Sequence, residues 1–177
     1  MESVLAQTYP NIELIIIDDG SKDGGAETRE ALRPYLPHMR YVYQPRHGIG
    51  GAVNRGLSLA NGEYIQRLDD DDRIYPEKIT KSVEVFKAQP GVGLVATAYH
   101  IIDHEGNRLY TKTARQYHSQ TRILQMLMAC PSVQAAVMVR SACHQMVGKY
   151  RTDILAEDYE MWIRIARHYD VATILNA

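Results

Sequence analysis

The sequence predicts an α/β fold in which helices flank a mixed, mainly parallel sheet. Strand-like apolar runs alternate with helical segments through the first half of the chain, giving at least three strand–helix units. The first run, residues 12–17, is almost continuously β-branched, as is typical of a parallel strand buried on both faces. The second half is less regular and carries a hairpin turn signal at residues 104–107.

Composition and charge are those of an ordinary globular protein. The 177 residues suffice for one domain with a sizeable core, and 45% are apolar and 23% charged. The net charge of -1 gives no basic field of the kind that binds nucleic acid. No apolar run is long enough to span a bilayer, and two cysteines are too few for a disulfide framework. We therefore expect a cytoplasmic location, including the inner face of the cell membrane.

Proline and glycine mark the ends of the predicted elements in the first half. Pro34 and Pro37 end one helix, Pro76 suits the first turn of another, and Asn61-Gly62 closes a third. The predicted strands are residues 12–17, 39–44, 63–68 and 92–102. The predicted helices are residues 3–8, 26–36, 52–60 and 76–89. This order is the one from which a parallel sheet is built.

The second half predicts a hairpin and three further helices. After the turn, residues 108–111 return antiparallel. The other predicted strands are residues 134–139 and 171–175, and the helices are residues 121–129, 141–147 and 159–169. In the last helix Met161, Trp162 and Ile165 share one face, as expected of core residues. We treat residues 1–177 as a single domain.

Four consecutive aspartates, residues 69–72, directly follow the third predicted strand. Their repulsion is offset either by water around a surface loop or by a divalent cation, since hard oxygen ligands suit Mg²⁺, Mn²⁺ or Ca²⁺. In an extended segment, Asp69 and Asp71 would face one site while Asp70 and Asp72 face the other side. An EF-hand is excluded because Ile74 replaces its glycine. The pattern favours an open site that phosphate oxygens of a ligand complete.

Asp18 and Asp19 follow the first predicted strand, at the sheet edge expected to hold the aspartate run. They could accept hydrogen bonds from a nucleobase or ribose, or form a helix cap or an Asx turn. The glycine-rich segment 45–51 is not a dinucleotide fingerprint, because Val53 replaces its last glycine. We expect these glycines to allow close backbone approach. Asn54 either bonds a ribose or diphosphate, or caps the helix.

Glu157 and Asp158 precede the last predicted helix. Carboxylates there are favoured by the helix dipole, typically by about 0.3–1 kcal/mol, which is a sufficient structural reason for them. In the catalytic alternative, one of them is a general base that takes a proton from an attacking hydroxyl. The residues alone leave both alternatives open.

Taken together, these segments resemble the glycosyltransferases of family 2, which have the Rossmann-like GT-A fold. Residues 3–21, SVLAQTYPNIELIIIDDGS, are similar to the opening block of that family. Further similar blocks are NRGL at 54–57, ANGEYI at 60–65, LDDDD at 68–72 with Pro76, and ED at 157–158 with Trp162 and Arg164. The resemblance covers nearly the whole chain.

The resemblance implies a nucleotide-sugar site at the acidic clusters. It implies donor-binding residues at Asp18, Asp19, Asn54, Asp69 and Asp70. It makes Asp69 and Asp71 the DxD pair, with Asp71 the direct ligand of Mn²⁺ or Mg²⁺. It makes Asp158 the catalytic base, with Glu157 beside it. Residues 1–98 would then bind the donor, and residues 99–177 would form the acceptor side.

The implied activity is an inverting, metal-dependent glycosyl transfer. The donor would be a nucleoside-diphosphate sugar, with a UDP-sugar preferred, and the acceptor a hydroxyl of a saccharide or of a lipid-linked molecule. The alternative is a non-catalytic nucleotide-sugar-binding module or an inactive, truncated glycosyltransferase. No nucleic acid partner is expected.

Two departures from the family pattern carry a structural expectation. Family members have a strand ahead of the helix predicted at residues 3–8, and they continue beyond the last strand predicted here. Without that first strand, one edge of the strand at residues 12–17 would lack a partner. An open edge favours pairing with another segment or with a second copy, so we expect a tendency to form homo-oligomers.

Overall fold

The computed structural model describes residues 1–118, 120–128 and 132–175. Its α-helices are α1 Glu2–Leu5, α2 Ala26–Ala31, α3 Gly48–Leu59, α4 Lys78–Ala88, α5 Arg122–Met128, α6 Ser141–Val147 and α7 Glu157–Ala166. Its strands are β1 Ile15–Asp19, β2 Arg40–Gln44, β3 Tyr64–Gln66, β4 Val92–Thr97, β5 Tyr99–Ile102, β6 Arg108–Lys112, β7 Val137–Arg140 and β8 Asp170–Ile174. Arg33–His38 and Gln134–Ala136 form 3₁₀ helices. This order confirms the predicted α/β class.

The strands of the described residues form three sheets. β1 and β2 pair in parallel, and β5 and β6 form the predicted antiparallel hairpin. The largest sheet has the order β3-β7-β4-β8. In it β7 runs antiparallel to both β3 and β4, whereas β8 is parallel to β4. The sheet is therefore mixed, as predicted, with β7 opposed to its neighbours.

The first strand differs from the prediction in its limits and its burial. It spans Ile15–Asp19, so the acidic pair ends the strand instead of following it. The expectation that both of its faces are buried is wrong, because Ile15, Ile16 and Ile17 keep partial exposure. Within the described residues β1 pairs with β2 alone, and β3 pairs with β7 alone. The unpaired edge of β1 agrees with expectation, whereas oligomer formation stays a prediction.

Several other elements also differ from their predicted limits. Residues 92–102 form two strands, which break at Ala98, where the N–H donates to the Ile174 carbonyl in β8 at 3.0 Å. The helix predicted at 26–36 changes to 3₁₀ geometry around Pro34 and Pro37, which lack an N–H for an α-helical bond. The strand predicted from residue 134 begins at Val137. The predicted helix end at Ala129 lies outside the described residues.

Two apolar cores lie on opposite faces of the central strand β4. Leu94 and Ala96 face one core with Trp162 of α7, and Val92 and Val95 face the other with Phe86 of α4. Leu94, Val95 and Ala96 alternate between the two cores, as the two-residue period of a strand requires. Val92 joins the core of Val95 because the strand register shifts between Val92 and Leu94. Met161, Trp162, Ile165 and Ala166 are fully buried, as the helical spacing predicts. Burying each large side chain contributes roughly 1.5–3 kcal/mol, so α7 is held firmly beneath the sheet.

No helix in the described part of the chain is long and apolar enough to cross a membrane.

Lys78, at the start of α4, is a buried cation whose ammonium donates to Gln66 Oε1. Burial lowers the pKa of Lys78 from 10.5 to about 7. The unfolded chain keeps this proton up to a higher pH than the folded chain does. Between pH 7 and the ordinary lysine pKa the unfolded state thus binds more protons, and stability rises with pH.

We therefore expect the free energy of unfolding to increase between about pH 7 and pH 9.5, by up to about 1.4 kcal/mol per pH unit. Urea titrations at several pH values measure this slope. Lys78→Met should flatten it, and Lys81→Met, which removes an exposed amine on the same helix, should leave it unchanged. Equal slopes in the native chain and Lys78→Met would contradict the assignment.

Candidate active site

Asp18 lies near the C-terminal end of β1, where hydrogen bonds occupy both of its oxygens. Oδ1 accepts the Ser21 N–H at 3.0 Å and the Ser21 hydroxyl at 2.7 Å, and Oδ2 accepts the Tyr41 hydroxyl at 2.6 Å. Burial raises the pKa of Asp18, but these bonds outweigh it and hold the pKa below its usual value. Burial and the Asp18 charge raise the pKa of Tyr41 to about 12. Asp18 thus stabilises the turn that follows β1, although its backbone donor lies three residues on and not the two of an Asx turn.

Asp19 connects β1 to the segment that precedes α3. Its Oδ1 accepts the Gln44 amide at 2.6 Å, and its two oxygens accept the His47 N–H at 2.9 and 3.1 Å. Burial again raises the pKa, and the Gln44 and His47 donors lower it below its usual value. Contacts of Asp18 and Asp19 with a nucleotide stay predictions.

The glycines at 50 and 51 lie inside α3, which begins at Gly48, earlier than predicted. A Cβ on buried Gly50 would lie 2.3 Å from the Arg151 carbonyl oxygen. This confirms the expected close approach of the backbone. Asn54 donates to the Tyr150 carbonyl at 2.9 Å and accepts the Tyr150 N–H at 2.8 Å. Its amide therefore joins α3 to the loop before α7, and direct ligand contact by Asn54 stays a prediction.

The aspartate run forms a turn, so the expected extended geometry is wrong. β3 ends at Gln66, and the Asp72 N–H donates to the Asp69 carbonyl at 3.2 Å. The sequence predicts that Asp69 and Asp71 face one site while Asp70 and Asp72 face the other side. That alternation requires an extended backbone, which is absent at this turn. Asp70, Asp71 and Asp72 are exposed, whereas Asp69 is partly buried. Three carboxylates therefore project from one turn into solvent.

Arg67 links this turn to the start of α7. Its guanidinium lies 3.1 Å from Asp69 Oδ1 and 3.1 Å from Glu157 Oε1. Glu157 is only 5% exposed, so the ion pair with Arg67 offsets a buried charge. Asp158 follows Glu157 in the first turn of the helix, where its Oδ1 accepts the Tyr159 N–H at 2.6 Å. Two acidic groups that lie about 90 residues apart thus meet at one cation.

Tyr150 lies beside the same group of charges. It is 5% exposed, and burial raises its pKa above the usual range, with Arg67, Asp158 and Glu157 also acting on it. Its backbone is fixed by Asn54, and Arg164 donates to the carbonyls of Val147 and Lys149 at 2.5 and 2.8 Å. The loop before α7 is therefore held from two directions.

Comparison with known proteins assigns the family. The family model described as "Glycosyl transferase family 2" matches residues 1–147. This chain belongs to glycosyl transferase family 2. An uncharacterized glycosyltransferase of Rickettsia conorii is 33% identical over 187 aligned positions, which cover 100% of this chain and 31% of that protein. The chain thus spans about a third of the length of this relative.

Solved structures share the fold of this family 2 chain. TarS of S. aureus, residues 1–349 in complex with UDP, is 18% identical with a TM-score of 0.75 over 99% of this chain and 53% of that chain. The mannosyltransferase PcManGT from Pyrobaculum calidifontis, in complex with GDP-Man and Mn²⁺, is 19% identical with a TM-score of 0.70. That match covers 97% of this chain and 48% of the other. The family and the structural matches confirm the predicted GT-A fold.

The structure brings some predicted site residues together and adds others. Asp69 and Glu157 meet at Arg67, and Asp158 follows Glu157 in the first turn of α7. Asn54 fixes Tyr150, on which Arg67, Asp158 and Glu157 all act. The contacts that the structure describes for Asp18 and Asp19 stay within the turn after β1, α2, β2 and the segment before α3. Sequence reasoning missed Arg67, although a cation two residues before an acidic run is a usable signal. Tyr150 carries no such signal.

The aspartate turn can be tested for its fit to a divalent cation. In the part of the chain that is described, no three His, Cys, Asp or Glu side chains converge closely enough to hold a metal. Partial burial raises the pKa of Asp72, and the negative charges of Asp71 and Asp69 add to this rise. Repulsion among exposed carboxylates is what a cation relieves, and oxygen donors suit Mn²⁺ and Mg²⁺. The residues fit an open site that needs ligand oxygens to complete it.

We expect Arg67→Met to lower the free energy of unfolding by about 3–5 kcal/mol, because Glu157 would remain buried without its partner. Urea unfolding followed by circular dichroism measures the loss. The double variant Arg67→Met/Glu157→Met should recover most of it, since apolar groups often replace a buried ion pair at little cost.

Arg33→Met is the matched control, because its ion pair with Glu30 at 2.7 Å is exposed on both sides. This variant should change stability by less than about 1 kcal/mol. If Arg67→Met behaves like Arg33→Met, Arg67 does not hold the two acidic groups together.

Proposed function

We propose that this chain forms the donor-binding and catalytic part of an inverting, metal-dependent glycosyltransferase. The donor is a nucleoside-diphosphate sugar, with a UDP-sugar preferred, and the acceptor is a hydroxyl of a saccharide or of a lipid-linked molecule. The observation that carries the proposal is the Arg67 contact with both Asp69 and Glu157. It joins a turn of carboxylates that suits a cation to a helix start that carries a candidate base. Membership of family 2 supports the same reaction class.

The donor end of the proposed site is built on the aspartate turn and on β1. Asp71, with Asp69 beside it, would hold Mn²⁺ or Mg²⁺, and the cation, when bound, supplies Lewis-acid stabilisation to the departing diphosphate. Asp70 would also face the donor. Asp18 and Asp19 would contact the base and ribose from the end of β1, where their hydrogen bonds fix their orientation. The complexes of TarS with UDP and of PcManGT with GDP-Man and Mn²⁺ support a ligand of this class.

The acid–base step falls to Asp158. Its Oδ1 already accepts the Tyr159 N–H, so Oδ2 is the oxygen that would take the proton of the acceptor hydroxyl. The acceptor oxygen then forms a bond to the anomeric carbon from the face opposite the diphosphate. The bond from that carbon to the diphosphate oxygen breaks, and its electron pair leaves with the diphosphate. A single displacement of this kind inverts the anomeric configuration. Glu157 is held by Arg67 and positions Asp158.

Titration calorimetry with UDP tests the donor site. In the native chain, we expect UDP binding to require Mn²⁺, because the carboxylates of the turn alone would repel the diphosphate. Asp71→Ala should weaken the Mn²⁺-dependent affinity at least about tenfold, a loss of 1.4 kcal/mol or more. Unchanged Mn²⁺-dependent binding by Asp71→Ala would exclude the turn as the site.

Asp158→Asn separates binding from turnover. This variant should keep Mn²⁺-dependent UDP binding and lose release of UDP from UDP-sugars by about a hundredfold or more, as expected for loss of a general base. Native binding without any detectable hydrolysis or transfer would favour the non-catalytic nucleotide-sugar-binding module instead.

A further inference from the structure

Charge is distributed unevenly along this chain. Residues 106–152 contain no aspartate or glutamate, although the chain as a whole has a net charge of -1. The same stretch contains seven basic residues, Arg108, Lys112, Arg115, Arg122, Arg140, Lys149 and Arg151. Arg108, Lys112 and Arg115 form no salt bridge with any residue in the described ranges, and all three are exposed. The segment before α5 therefore presents uncompensated positive charge.

Helix α5 adds an apolar face next to Arg115. Leu124, Leu127 and Met128 are 60%, 59% and 78% exposed, and their spacing puts them on one side of the helix. The opposite side packs inward through fully buried Met126 and partly buried Ile123. The exposed side chains therefore do not take part in the packing of α5 against the domain. Large apolar side chains clustered in solvent mark a surface that meets another apolar phase.

The segment that carries Arg115 is fixed beside α5. The Arg115 carbonyl accepts the Thr173 hydroxyl at 2.6 Å, and the His118 N–H donates to Gln125 Oε1 at 3.0 Å. A hollow of about 350 Å³ lies between this segment and α5. It is lined by Arg115, Gln116, Tyr117, Gln125 and Met128. We name the exposed residues Arg115, Leu124, Leu127 and Met128 the α5 surface. Asp170 forms an ion pair with Arg122 of α5 at 3.2 Å.

We propose that the α5 surface binds the face of an anionic lipid bilayer. Aliphatic side chains enter the boundary between headgroups and acyl chains, while cations remain at the level of the lipid phosphates. A second copy of this chain fits less well, because a twofold contact would place the Arg115 charges of both copies in one interface with no acidic residue of the α5 surface to offset them. A nucleic acid also fits less well, since leucine and methionine offer no ring on which bases stack. The proposal does not depend on the chemistry proposed for the acidic site.

Sedimentation with sucrose-loaded vesicles tests this binding. One set of vesicles is phosphatidylcholine alone, and in the other about a third of the lipid is phosphatidylglycerol. We expect at least about tenfold stronger partitioning onto the anionic vesicles, with the difference reduced in high salt. Leu124→Ser/Leu127→Ser should reduce partitioning at least about tenfold. Arg115→Gln should reduce it roughly fivefold, and only on anionic vesicles.

Leu155→Ser is the matched control, because the Leu155 side chain is fully exposed and does not belong to the α5 surface. It should partition like the native chain, and circular dichroism checks that all variants fold. Equal partitioning of the native chain and the Leu124→Ser/Leu127→Ser variant, or no binding to anionic vesicles, would overturn the proposal. Dimerisation in sedimentation velocity that this double variant abolishes would assign the surface to a second copy and would overturn it also.

Discussion

The candidate site depends on one guanidinium, that of Arg67. It neutralises Glu157, which the fold buries, and it holds Asp69 at the base of an exposed acidic turn. The contact with Glu157 could not be replaced by water without cost, since a buried carboxylate without a partner is strongly destabilising. The same side chain therefore has a structural and a functional consequence. It stabilises the start of α7, and it links the aspartate turn to the helix that carries Asp158.

The rest of the fold sets the position of that contact. β4 has one core on each face, and the core shared with α7 fixes the helix that carries Glu157 and Asp158. The loop ahead of α7 is secured to α3 through Asn54 and to α7 itself through Arg164. α3 in turn begins beside Asp19, whose carboxylate holds the His47 N–H. Asp19 thus lies at the end of a strand, and Glu157 and Asp158 lie at the start of a helix that is packed against the core.

Much of the fold could be predicted from the sequence, because the helix limits and buried faces depend on local patterns. The period of α7 gave its buried face, glycine at position 50 indicated close backbone approach, and proline marked helix limits. The failures concern non-local partners. The burial of β1 depends on which strands pair with it, and the division of β4 from β5 depends on β8. The Arg67 contact with Glu157 also joins distant segments, so nothing within either segment encodes it.

The most direct test of the account is paramagnetic broadening of backbone amide signals by Mn²⁺ in the presence of UDP, with Mg²⁺ as the diamagnetic reference. If one cation site lies between the aspartate turn and the start of α7, substoichiometric Mn²⁺ should broaden the amide signals of residues 69–72 together with those of residues 157–159. Broadening of residues 69–72 that leaves residues 157–159 sharp would contradict the claim that these segments form one site.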